Sequence, residues 1–246
     1  SSSATTLRTR GTVYTGDQTT SVGASAFALV PNVYPSAINF TGLTRTGGVN
    51  NVFYIWDSKK LSGQSLGVYQ TFSNTNSFNC LINGGSYTYL APNTTIESGQ
   101  SFFVTSGASG TIVLKESAKI SGTNGNLGFR PVAKSKIDTR LYNSLDEMAD
   151  ANAVVFDAGY SKAVAEEDAP KMGNPGANFA IETENKLLAI EGTRLVKEGD
   201  AVQFRMWNLA KGAYTLEIEM SNMALPEGVS AMLEDSYLKT STAVSV

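Results

Sequence analysis

The chain has no histidine and one cysteine among its 246 residues, and only 17% of them are charged. Without an imidazole there is no ordinary base to activate a serine, so GQSLG at 63–67, with the Gly-x-Ser-x-Gly spacing of a nucleophile elbow, lacks its partner. Its flanks also disagree with an elbow, because 52–56 and 68–72 both read as strands where a helix should follow the serine. The stretch around Ser65 therefore reads as a hairpin loop. The lone Cys80 excludes an internal disulfide and a thiolate metal cluster, and in Phe78-Asn79-Cys80-Leu81-Ile82 it reads as a small buried hydrophobe at the start of a strand. No apolar run reaches even twelve residues, which excludes a bilayer-spanning helix. A net charge of -3 and a pI near 5.1 argue against nucleic acid or an anionic membrane as partner, since both recruit a basic face. The opening residues SSSATTLRTRG do not carry a signal-peptide pattern.

What is present is short strands and turn residues. Runs at 26–30, 52–56, 68–72, 86–90, 101–105 and 111–115 are β-branched and aromatic, separated by clusters such as Asn83-Gly84-Gly85 and Glu97-Ser98-Gly99. The same texture returns at 138–142, 153–157, 179–182, 186–191, 201–207, 213–220 and 230–234. Tyr214-Thr215-Leu216-Glu217-Ile218-Glu219-Met220 alternates cleanly, as a strand with one wet face does. Ser144-Leu145-Asp146-Glu147 has capping-box spacing, but a strand follows so soon that a loop or one helical turn is expected there. The charge changes along the chain: residues 1–130 hold 8 Lys/Arg against 4 Asp/Glu, residues 131–246 hold 11 against 18, and the two parts are net +4 and -7. The step falls at the Gly/Asn-rich SGTNGNLG. These patterns predict an all-β protein of two consecutive β-sandwich modules, jelly-roll or immunoglobulin-like, over 1–130 and 136–246, each folding by itself.

Three constellations bear on chemistry. The acids of the second module offer oxygen ligands for calcium, with Asp150, Asp157 and Asp168 as candidate ligands and a solvated acidic face as the plain alternative; no other cofactor is implied. Glycoside cleavage needs two carboxylates across a cleft. Asp17, Asp57, Glu97 and Glu116 sit at or beside strand ends without forming such a pair, so no catalytic residue is assigned and an enzyme is not expected. The aromatics Tyr54, Trp56, Tyr69, Tyr87 and Tyr89 fall on neighbouring strands, where they either fill the core or present ring faces to a sugar; same-side rings at period two favour the core. Asn39-Phe40-Thr41 and Asn93-Thr94-Thr95 are glycan acceptors only in a host with that machinery.

Several segments, in order, resemble a C-terminal region of large surface proteins exported by the type IX system of Bacteroidetes. They are Pro31-Asn32-Val33-Tyr34-Pro35-Ser36-Ala37-Ile38-Asn39-Phe40, Phe53-Tyr54-Ile55-Trp56-Asp57, Ile96-Glu97-Ser98-Gly99-Gln100-Ser101-Phe102-Phe103-Val104, Leu114-Lys115-Glu116-Ser117, Phe129-Arg130, Glu167-Asp168-Ala169-Pro170-Lys171-Met172 and Leu233-Glu234-Asp235. Val33 stands where that pattern usually has proline. The resemblance implies a secreted or surface-displayed, non-catalytic stalk, display or adhesion segment. Its partners would be neighbouring domains of one long polypeptide and, through a C-terminal signal beyond Val246, the secretion machinery. The alternative is a carbohydrate-binding module of a secreted polysaccharide-degrading enzyme, with glycans as partner.

Overall fold

The computed structural model describes residues 11–57, 67–81, 92–120, 134–223, 225 and 228–244. Every regular element among them is a strand or a single turn of 3₁₀ helix, and no helix is long and apolar enough to cross a membrane. The first half holds β1 (Gln18–Val22), β2 (Ala26–Pro31), β3 (Ile38–Asn39), β4 (Thr44–Thr46), β5 (Val52–Asp57), β6 (Val68–Ser73), β7 (Thr95–Ile96), β8 (Ser101–Ser106) and β9 (Gly110–Leu114). The second holds β10 (Ser135–Tyr142), β11 (Met148–Phe156), β12 (Ala169–Pro170), β13 (Asn178–Thr183), β14 (Lys186–Thr193), β15 (Phe204–Trp207), β16 (Thr215–Ser221), β17 (Ala231–Asp235) and β18 (Thr240–Val244). The fold is all-β and of sandwich type, as the alternation and turn spacing predict. The strands expected at 86–90 and the loop carrying Ser65 lie outside the described residues.

In the first half, a sheet of order β1-β9-β4 packs on a sheet of order β2-β8-β5-β6, and the β3-β7 pair adds Ile38 and Ile96 to the core between them. Between the layers sit Phe40, Phe53, Phe72, Phe78 and Phe102 with Ile96, Ile112 and Val104. Their rings meet at centroid distances of 4.6 Å for Phe40–Phe53 and 4.9 Å for Phe53–Phe72. Each such buried ring contributes roughly 1.5–3 kcal/mol of transfer free energy, so this cluster alone accounts for much of what orders the half.

The second half is built on one mixed sheet of order β15-β13-β14-β11-β10-β16, in which β12 also pairs with β14. β11 and β14 run parallel, and the other pairs are antiparallel. At the start of β11 the register slips: Leu141 faces Asp150 and Tyr142 faces Met148, leaving Ala149 over. This bulge turns Met148 to the side of Ala151, Ala153 and Val155. The 143–147 stretch is the β10–β11 turn, where Asn143 Oδ1 accepts from Leu145 N and Glu147 N and Asp146 takes a φ of 60°. β17 and β18 form a separate hairpin.

No strand pairing among the described residues joins the two halves, yet their apolar faces do. Val52, Tyr54, Val68 and Leu81 of the first half form one buried cluster with Met148, Ala151, Ala153, Val155, Ala169, Ala189 and Ile190 of the second. Large side chains on one surface meet four alanines on the other, which lets the two apolar faces approach closely.

Candidate functional site

The joint between the halves also carries polar contacts. Tyr54 Oη donates to Pro170 O at 2.8 Å, Thr75 Oγ1 to Glu167 O at 2.5 Å, Tyr69 N to Asn174 Oδ1 at 3.0 Å and Lys134 Nζ to Thr75 O at 3.2 Å. Tyr54 is fully buried, and burial raises its phenol pKa, so it remains a neutral donor. Of the three described aromatics expected as a sugar platform, Tyr54, Trp56 and Tyr69, it is the one that lies in a core.

Asp150 and Asp168 lie inside, for different reasons. Asp150 fills the place where β14 diverges from β11. Its Oδ1 accepts from Ala151 N and from Lys171 Nζ at 2.6 Å, and its Oδ2 accepts from Phe179 N at 2.7 Å. The Asp150 and Lys171 side chains are 0% and 4% exposed. Burial pushes the Asp150 carboxyl above its ordinary range, and the Lys171 ammonium and the two N–H groups offset part of that. Asp168 ends the loop before β12, with Oδ2 accepting from Ala165 N and Oδ1 from Gly192 N. Desolvation pushes it up to about 6; the two N–H bonds oppose the rise, and Glu191 and Glu167 add to it. A Cβ at Gly192 would stand 2.8 Å from Glu167 Cγ, so glycine lets this loop lie against β14.

Asp157 takes a third setting, at the end of β11, where its Oδ1 accepts from Gly159 N and its own N donates to Thr193 O. The three expected calcium ligands thus each serve a different local structure. Among the described residues no group of three or more His, Cys, Asp or Glu side chains is arranged to hold a metal ion.

Trp56 and Tyr69 stand opposite one another on β5 and β6, their rings 4.7 Å apart and edge to face. Tyr69 continues to Phe103 at 5.9 Å, and Phe27 meets Tyr54 at 5.4 Å. Phe27, Leu29 and Trp56 are 41%, 54% and 36% exposed, while Tyr69 and Phe103 are half-buried. Tyr87 and Tyr89 lie outside the described residues. Phe27, Leu29 and Phe103 were not among the residues singled out from the sequence. The signal was present in Ala26-Phe27-Ala28-Leu29-Val30, where the large apolar residues alternate with alanine and both sets are apolar, so period two does not say which set faces out.

An all-β chain whose two halves share a buried apolar cluster defines the structural class. The family model described as "Domain of unknown function (DUF8693)" matches residues 3–245, so the chain belongs to that family. No curated protein and no solved structure matches it.

Proposed function

We propose that the chain is a non-catalytic structural module of a large exported bacterial surface protein, serving as a stalk or display segment. The observation that supports this most is the joint: a shared apolar cluster and hydrogen bonds from Tyr54, Tyr69, Thr75 and Lys134 tie one half to the other. A segment built this way passes tension from half to half through packed side chains instead of through backbone alone. The two carboxyls with raised pKa fit the same reading, since Asp150 and Asp168 spend their oxygens on backbone N–H groups and Lys171. Surface placement, neighbouring domains on the same polypeptide and export by the type IX machinery rest on the sequence resemblance. No cofactor belongs to the proposal. Two measurements test it. Fractionation of the native host should find the parent protein in the medium or at the outer surface, and recovery from the cytoplasm would overturn the export part. Pulling on the chain from its two ends should give one unfolding event; two independent events of half the length would remove the mechanical part.

A further inference from the structure

The outward face of the β2-β8-β5-β6 sheet is buried at Val52, Tyr54, Thr71 and Ser73 along β5 and β6, and it stays open along β2 and at the Trp56 end of β5. Register sets Leu29 opposite Phe103, Phe103 opposite Tyr54 and Trp56 opposite Tyr69, which puts all five side chains on that face. Val52 and Tyr54 are buried in the joint, and the margin beside them stays open at Phe27, Leu29 and Trp56. At a strand spacing of about 4.8 Å, the row from β6 to β2 runs about 14 Å.

Three properties of this margin select its occupant. Its outward positions Phe27, Leu29, Ser101, Phe103, Trp56 and Tyr69 carry no charge, so an anionic or cationic ligand gains nothing there. The Trp56 indole N–H and the Tyr69 hydroxyl are engaged by no other described residue, which leaves hydrogen-bonding groups at the rims of apolar ring faces. These six positions are also few beside the roughly 20–30 residues per side of a stable protein interface, which disfavours a second copy or a globular partner. We propose that this margin binds a neutral polysaccharide, whose apolar sugar faces stack on Trp56 and Tyr69 and lie against Phe27 and Leu29 while its hydroxyls bond to the indole and phenol groups. The proposal does not depend on the joint: a chain that unfolds in one event and binds no sugar loses only this inference.

Tryptophan fluorescence of the full chain, titrated with soluble β-glucan, mannan and xylan and with anionic pectate, reads the binding. A saturable change with at least one neutral polymer is expected, and it should persist in Trp207→Phe, where Trp56 is the only indole left. By calorimetry, Trp56→Ala and the surface change Leu29→Asp should each weaken binding roughly tenfold, as loss of a stacking contact does. Circular dichroism melting checks that both variants are folded. Three results would overturn the proposal: no binding to any of the neutral polymers, binding that both folded variants retain in full, or self-association that Leu29→Asp abolishes.

Discussion

The two halves are cored by different chemistry. Among the described residues, five of the seven buried phenylalanines lie in the first half, and seven of the eight buried alanines lie in the second. The buried acids divide the other way: Asp57 alone in the first half, against Asp138, Asp150, Asp168 and Glu191 in the second. A ring-filled sandwich buries enough apolar area to order itself. A sheet faced with alanine buries little per residue and relies on the layer that covers it, here Val52, Tyr54, Val68 and Leu81 from the first half. Beyond Gly192 no described residue is buried, and the second half's own apolar cluster, Val154, Phe156, Ile181 and Leu188, is small. The difference teaches that the halves are unequal: one supplies bulk, the other supplies a fitted surface and an internal polar network.

The largest effect should come from separating them. The charge step predicts two parts that fold alone; the shared cluster changes that expectation for the second. Expressed without the first half, residues 134–246 should melt without a cooperative transition, while 1–133 should keep one. Two sharp transitions of unchanged midpoint, followed by circular dichroism, would erase the asymmetry.

Within the intact chain, Phe53→Ala should cost about 3–5 kcal/mol in urea unfolding, because it empties the centre of a ring cluster. Lys171→Met attacks the other kind of core. It leaves Asp150 charged, dry and unpaired, and should cost about 3–5 kcal/mol at neutral pH. The loss should shrink in acid, where Asp150 can take up a proton, whereas the Phe53 deficit should not change with pH. Equal pH profiles for the two variants would remove the distinction.

Asp168 gives a smaller effect. Its folded-state pKa of about 6 lies above the ordinary aspartate value near 3.8, so the folded chain binds this proton more tightly than the unfolded one. The stability it contributes is fully present below pH 3.8 and is lost as pH rises through 6, by on the order of 3 kcal/mol. Asp200 acts in the opposite sense: Arg194 holds it down to about 2, and its contribution is present above pH 3.8 and fades as pH falls toward 2. Asp168→Asn should flatten the measured stability between pH 4 and 6, and an unchanged slope would show that the proton resides elsewhere.

Much of the fold was legible because strand periodicity and turn chemistry are local. Ten residues of context suffice to read β8 and β9 around Ser106-Gly107-Ala108-Ser109-Gly110, or β16 in its alternation. The short strands β3, β4, β7 and β12 escaped because two or three residues carry no period, and β1 and β18 escaped because Gln18-Thr19-Thr20-Ser21-Val22 and Thr240-Ser241-Thr242-Ala243-Val244 are too polar to show one. The candidate sites were read less well. Asp150, Asp157 and Asp168 were grouped by composition, but a strand interior, a strand end and a loop place them with different partners. Trp56 and Tyr69 were found together, since neighbouring strands in a hairpin bring such residues opposite one another.

By itself the sequence determined that this is an all-β protein with no disulfide and no histidine chemistry, because alternation, turn residues and composition act over short range or by count alone. Only the tertiary structure decided the fate of Val52-Phe53-Tyr54-Ile55-Trp56, an apolar run whose period is hidden. Phe53 enters the ring core, Tyr54 enters the joint, and Trp56 stays at the open margin. That assignment depends on where the second half lands. The landing is set by contacts such as Tyr54 to Pro170, 116 residues apart, which no local pattern encodes.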